Sequence, residues 1–175
     1  ELRPEQAVAA KALIAHDSGV LAAGTAFGKT VLAAWMIGER KTNTLILVNK
    51  KPLMTQWVER LSQFLNIPQK EIGVWGGGKH KYTGKIDVAL IQSLVRRGAV
   101  NKEIVGSYGQ LIVDECHGVP AISFEAVTNA FTGKYILGLS ATPVRRDGMH
   151  PIIQMQCGPL RHRVEGKQMA TFEHF

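Results

Sequence analysis

Ala23 to Thr30 reads A-G-T-A-F-G-K-T and lies between an apolar run, Val20 to Ala23, and a helix-forming run, Val31 to Ile37. A small-residue loop between a strand and a helix start gathers backbone N–H groups around an anion, and the helix dipole favours negative charge at the same place. Within it Gly28 lets the backbone come close, Lys29 can reach terminal phosphates, and the Thr30 hydroxyl can bind a magnesium ion that bridges them. Far downstream, Val113-Asp114-Glu115-Cys116-His117 closes another apolar run with two adjacent carboxylates. Asp114 suits the orientation of that magnesium and Glu115 the positioning and polarising of an attacking water. Acidic residues also cap helices that follow strands, so the pair has a plain structural reading too.

Other candidates depend on their company. Ser140-Ala141-Thr142-Pro143 follows an apolar run, and hydroxyls before a proline equally suit a turn or a helix start. Gln6 offers a donor and an acceptor to an adenine edge, yet a glutamine in an N-terminal helix is commonly just solvated. His117 can hydrogen-bond toward a phosphate site or serve structure alone, and Cys116 reads as buried packing.

The elements that would position these residues follow from hydrophobic period. Short apolar runs at Val20 to Ala23, Thr44 to Val48, Ile72 to Trp75, Ile86 to Ile91, Gln110 to Val113 and Tyr135 to Leu139 read as buried strands. Between Pro52 and Leu65 the period lengthens to that of a helix, with Leu53, Trp57, Leu61 and Phe64 on one stripe and Met54, Val58 and Leu65 beside it. Phe124, Val127 and Phe131 mark another helix, with Gly133 as its stop. Alternating strand and helix predicts an α/β fold with a parallel sheet covered on both faces, which binds ligands at the carboxyl ends of its strands. The loop after Ala23 and the pair at Asp114 both sit at such ends. Gly76-Gly77-Gly78 is a flexible or tightly approached loop leading into the basic stretch Lys79 to Lys85. From His150 onward the alternation fades.

Composition sets the bounds. At 175 residues with 45% hydrophobic content the chain has material for one core and no room for a second domain of equal size. Its 21 Lys and Arg against 14 Asp and Glu give a formal charge of +7, which attracts phosphate polymers or acidic partners. The basic residues are scattered in small groups that also suit a solvated surface. The two cysteines are too few for a disulfide scaffold, so a reducing compartment is expected, and no run is long enough to span a membrane. His150, Cys157, His162 and His174 lack the paired short gaps of a zinc module. The start, Glu1-Leu2-Arg3-Pro4, has neither a signal-peptide core nor an initiator methionine and reads as an excised fragment.

Taken in order, Leu2-Arg3-Pro4-Glu5-Gln6, A-G-T-A-F-G-K-T, Val48-Asn49-Lys50-Lys51 leading to Gln56-Trp57, Ile91-Gln92-Ser93-Leu94, V-D-E-C-H and G-L-S-A-T-P-V-R-R-D-G resemble the first RecA-like lobe of superfamily 2 helicases and translocases. Within that superfamily the pattern is most similar to the D-E-x-H group of XPB-type repair helicases and restriction-enzyme motors. The resemblance implies a RecA-like P-loop NTPase lobe over residues 2–148, with 149–175 a tail that begins a linker or insertion toward a missing second lobe. It implies ATP and Mg2+ as cofactors, with Arg3 and Gln6 at adenine, and Thr25, Ala26, Phe27, Gly28, Lys29 and Thr30 as the phosphate grip. Thr30 and Asp114 would hold the metal, and Glu115, Asp114 and Lys29 would be catalytic. Coupling would run through His117, Ser140 and Thr142, while Asn49, Lys50, Gly77, Gln92 and Ser93 would touch the backbone of one nucleic-acid strand, DNA in preference to RNA.

Ala26 stands where many relatives have glycine, and its methyl group is expected to restrict the loop. Arginine fingers that complete such a site come from the second lobe, so the chain reads as half of an intracellular motor, cytoplasmic or nucleoid-associated. The competing reading is a non-catalytic nucleic-acid-binding module built on a helicase scaffold, which has no need of Lys29, Thr30, Asp114 and Glu115 together. A small kinase would need an acceptor lid and has no use for Gln6 or S-A-T-P.

Overall fold

Alternation of apolar side chains between two packed faces accounts for the strands of the computed structural model, which describes residues 1–96, 99–115, 121–141 and 157–164. The chain runs α1 (Pro4–Ile14), β1 (Ser18–Ala22), α2 (Lys29–Arg40), β2 (Thr44–Val48), α3 (Lys51–Leu65), β3 (Gly73–Gly76), β4 (Lys79–Lys81), β5 (Ile86–Leu90), α4 (Ile91–Leu94), α5 (Lys102–Val105), β6 (Gln110–Asp114), α6 (Ala121–Ala130), β7 (Tyr135–Ser140) and β8 (Leu160–Arg163). These strands make one sheet in the order β4-β3-β5-β2-β6-β7-β1-β8, parallel throughout except where β4 turns back along β3. Ile46 and Val48 of β2 face a core built with Leu13, Leu32, Met36, Trp57 and Leu61, so α1, α2 and α3 cover that face. Leu45 and Leu47 face the opposite core with Ile91, Val105, Phe124 and Val127, supplied by α4, α5 and α6. Burial on both faces is why these strands read as unbroken apolar runs. No helix among the described residues is long and apolar enough to cross a membrane.

The strands expected from the apolar runs are all present, and three features refine or differ from expectation. First, the buried stripe of α3 is Met54, Trp57 and Leu61, whereas Phe64 is 39% exposed and Leu53 only half-buried. The helix is turned by part of a residue step so that Trp57 points to the sheet. Second, the glycine run, read as a flexible or tightly approached loop, is tightly approached and closes the β3–β4 hairpin. Gly77 has φ +59, and a Cβ there would stand 2.9 Å from the Lys51 side chain, so the turn needs a residue that tolerates the left-handed region and fits beneath that lysine. Third, the stretch read as tail contributes β8, which lies parallel to β1 with Arg161 Nε donating to Ser18 O at 3.0 Å. Leu160 to Arg163 carries too few apolar residues to show as a strand in sequence. Pairing with a distant neighbour forms it.

At the amino-terminal edge of β5, away from the strand ends that form the candidate site, Asp87 is 2% exposed and gathers four donors. Thr83 N at 3.0 Å, Thr83 Oγ1 at 2.6 Å, Gly84 N at 2.9 Å and the Tyr108 hydroxyl all point to its carboxylate. The set ties the turn before β5 to the segment before β6, and burial, with the bond to Asp87, pushes the Tyr108 phenol above its ordinary range. Asp87→Ala leaves the buried Tyr108 hydroxyl and three partly buried donors without their acceptor and is expected to cost about 2–3 kcal/mol. Urea unfolding measures this, and a midpoint equal to that of the parent chain contradicts the structural role given to Asp87.

Candidate nucleotide site

The loop at Ala23 is built from the end of β1 outward. Ala23 N donates to Ser140 O at 2.9 Å, which anchors the loop's first residue to the end of β7. One 3-10 turn spans Thr25–Phe27, Gly28 takes φ +82, and α2 starts at Lys29. Gly28 is required on two counts, because a Cβ there would meet Gln6 Nε2 at 2.6 Å and the left-handed backbone disfavours any side chain. Ala26 is not among the residues with positive φ, so its methyl group imposes no backbone strain in this loop conformation. The departure from glycine is accommodated.

Two side chains of the N-terminal segment clamp the loop from outside. Gln6, 3% exposed, donates from Nε2 to Phe27 O at 2.8 Å and accepts from Arg3 N at 2.9 Å. Arg3 Nη2 donates to Phe27 O at 2.6 Å and to Ala26 O at 3.1 Å, while its Nε pairs with Glu5 at 3.2 Å. The residues read as adenine contacts thus have loop carbonyls as partners here. By fixing those carbonyls outward they leave the N–H groups at the start of α2 for an anion.

Lys29 is 8% exposed, and its ammonium donates to Ala23 O at 2.9 Å, across the mouth of its own loop. Burial lowers its pKa from the ordinary lysine value, and the nearby charges of Glu115 and Asp114 oppose that shift. Asp114 ends β6 at 7% exposure, and its Oδ2 accepts a 2.7 Å hydrogen bond from Trp57 Nε1. Burial raises the Asp114 pKa, opposed first by that indole N–H. Glu115, the next residue, has φ +54, an unusual backbone for a glutamate and one that turns the chain sharply as it leaves the strand. A polyphosphate with a divalent cation suits this donor set: a buried ammonium, a helix N-terminus, a hydroxyl at Thr30 on the first turn of α2, and a buried carboxylate. Ser140, 5% exposed at the end of β7, lies beside the loop's first residue. Cys116, His117 and Thr142 lie outside the described residues, and of Thr25 only the backbone is described.

The residues read as strand contacts follow neighbouring strands of the same sheet. Asn49 and Lys50 come after β2, Gln92 and Ser93 open α4 directly after β5, and Gly77 caps the β3–β4 hairpin. Gln92 Nε2 donates to Asn49 O at 3.0 Å, and Lys51 packs over Gly77, so Asn49 and Gln92 are joined directly and Gly77 sits under α3. Asn49 Oδ1 and Trp75 Nε1, both buried, have no hydrogen-bond partner among the described residues. Trp57 was not among the residues singled out for chemistry. Its signal in the sequence was a tryptophan inside an apolar stripe, since a buried indole N–H needs an acceptor.

The family model for the type III restriction enzyme, res subunit, matches residues 1–145. The chain belongs to that family. Among similar proteins, the DNA 3'-5' translocase XPB2 of Sulfurisphaera tokodaii is 34% identical over 97% of this chain and 37% of its own length. The fold is similar to that of the UvsW helicase from Bacteriophage T4, with TM-score 0.77 at 22% identity over 93% of this chain and 60% of that one. It is also similar to a structure titled as a hypothetical ATP-dependent RNA helicase from Sulfolobus tokodaii, with TM-score 0.74 at 16% identity over 97% and 54%. The res-subunit family and these neighbours agree on a RecA-like α/β lobe. This member spans little more than a third of its curated relative and well under two thirds of either solved chain.

Proposed function

We propose that the chain is the ATP-binding N-terminal lobe of an ATP-dependent helicase or translocase that moves on nucleic acid, DNA in preference to RNA. The observation that carries this reading is the buried Lys29 ammonium bonded to Ala23 O just past the end of β1, with the buried Asp114 carboxylate at the carboxyl end of β6 in the same sheet. Lys29 reaches the terminal phosphates, Thr30 and Asp114 hold Mg2+, and Glu115 orients the attacking water. When bound, Mg2+ neutralises phosphate charge that would otherwise repel the carboxylates. Arg3 and Gln6 face the adenine end of the site while keeping Thr25, Ala26, Phe27 and Gly28 in shape for the phosphates.

Asn49, Lys50, Gly77, Gln92 and Ser93 contact one strand's sugar-phosphate backbone, with the Lys50 ammonium supplying charge to a phosphate. Ser140, with His117 and Thr142, couples that face to the nucleotide. The preference for DNA follows the name of the XPB2 relative. The lobe runs through residues 2–148 and is completed by β8, with the remaining tail leading toward a second RecA-like lobe that supplies the charge-stabilising arginine. Such a motor works inside the cell, in the cytoplasm or on the nucleoid.

Lys29→Ala is expected to weaken binding of a non-hydrolysable ATP analogue by about 30-fold or more, the equivalent of about 2 kcal/mol. Fluorescence titration measures it, and unchanged affinity overturns the site assignment. Lys50→Ala is expected to weaken single-stranded DNA binding and to make the plot of log affinity against log salt shallower by about 0.7. An identical slope removes Lys50 from the strand interface.

A further inference from the structure

Trp57 lies on α3, the helix that begins directly after Asn49 and Lys50, and it is 2% exposed. Packing alone asks only for bulk there, which a phenylalanine would supply. The indole adds a single donor, and that donor points at Oδ2 of Asp114 from 2.7 Å, inside the protein. The indole N–H takes one acceptor position of the carboxylate from the α3 side and the backbone N–H of Glu115 takes another, and a carboxylate, with about four lone-pair sites, still has acceptor capacity for another ligand. The bond also fixes the side-chain rotation of a residue at a strand end, where the backbone turns sharply at Glu115.

We propose that Trp57 is a positioning residue for the metal: its N–H holds Asp114 in the orientation in which the carboxylate meets the Mg2+ of a bound nucleotide. This rests on the nucleotide reading given above. Groups that orient a ligand carboxylate matter to metal affinity nearly as much as the ligand does, and their loss costs about tenfold or more. The helix that leads away from the strand-contact residues is thereby the one that sets the metal carboxylate.

The test is the affinity of a fluorescent ADP analogue measured in Mg2+ and in EDTA. Trp57→Phe is expected to weaken binding about tenfold in Mg2+ and to leave binding in EDTA unchanged, because the loop and Lys29 still hold the phosphates. In an Asp114→Asn background the same substitution is expected to have no further effect on the Mg2+ dependence. Equal weakening with and without Mg2+, or an effect that survives in the Asp114→Asn background, makes Trp57 a packing residue and overturns the proposal. A second readout needs no substitution at position 57. The Trp57 indole N–H resonance, assigned by elimination with Trp35→Phe and Trp75→Phe, is expected to shift when Mg2+ is added to the ADP-bound chain but not on adding ADP in EDTA; a resonance indifferent to Mg2+ overturns the link. If the unsubstituted chain shows no Mg2+-dependent nucleotide binding at all, the functional reading fails and the link fails with it. Tight Mg2+-dependent binding that ignores Trp57 leaves the functional reading intact and removes only the link.

Discussion

A lysine ammonium buried at the end of a strand must find negative charge, and much of this structure follows from how Lys29 meets that demand. Among the described residues its hydrogen-bond acceptor is the Ala23 carbonyl, a neutral group, while burial works against its charged form. Asp114 and Glu115 relieve this electrostatically, but Asp114 is itself buried, and the same desolvation works against its charge. Removing two opposite charges from water is rarely favourable for stability alone. A site with an ammonium, a helix N-terminus and a carboxylate makes physical sense when a polyphosphate and a divalent cation complete it.

The fold keeps this cluster from collapsing. Parallel strands bring Ala22, Asp114 and Ser140 to the same end of the sheet, and the hydrogen bond from Ala23 to Ser140 O joins β1 to β7 just where the loop departs. The N-terminal helix then contributes from the outer side. Arg3 and Gln6 together place three hydrogen bonds on the carbonyls of Ala26 and Phe27, so side chains outside the loop clamp its backbone while Lys29 bonds Ala23 O across its mouth. Gly28 makes this possible, since any Cβ would displace the Gln6 amide. Arg3 and Gln6 therefore have a structural task on the phosphate loop whether or not they also meet a base.

Much of this was legible in the sequence because it is local. The apolar runs at Thr44 to Val48 and Gln110 to Val113 announce strands covered on both faces, and A-G-T-A-F-G-K-T announces its strand-loop-helix context. What was illegible depends on contacts between distant residues. Leu160 to Arg163 is a strand only because β1 offers it an edge, and Lys79 to Lys81, exposed along its length, is a strand only because the glycine turn folds it onto β3. Trp57 and Leu61 are buried as their spacing predicts, whereas Phe64 fits the same stripe by spacing yet stays exposed and Met54 beside it is buried. The bond between Trp57 and Asp114 joins residues far apart in the chain, and only the folded sheet brings them together.

In the proposed function, the backbone from Gly28 to Thr30 serves with Lys29 as the phosphate cradle. That role is tested most directly by recording backbone amide NMR spectra of the chain while Mg2+ and ADP are added. The account predicts that the largest shifts fall on the amides of Gly28, Lys29 and Thr30, where N–H groups at the start of α2 gain phosphate acceptors. Saturable binding with these amides unmoved and the shifts centred elsewhere would contradict it.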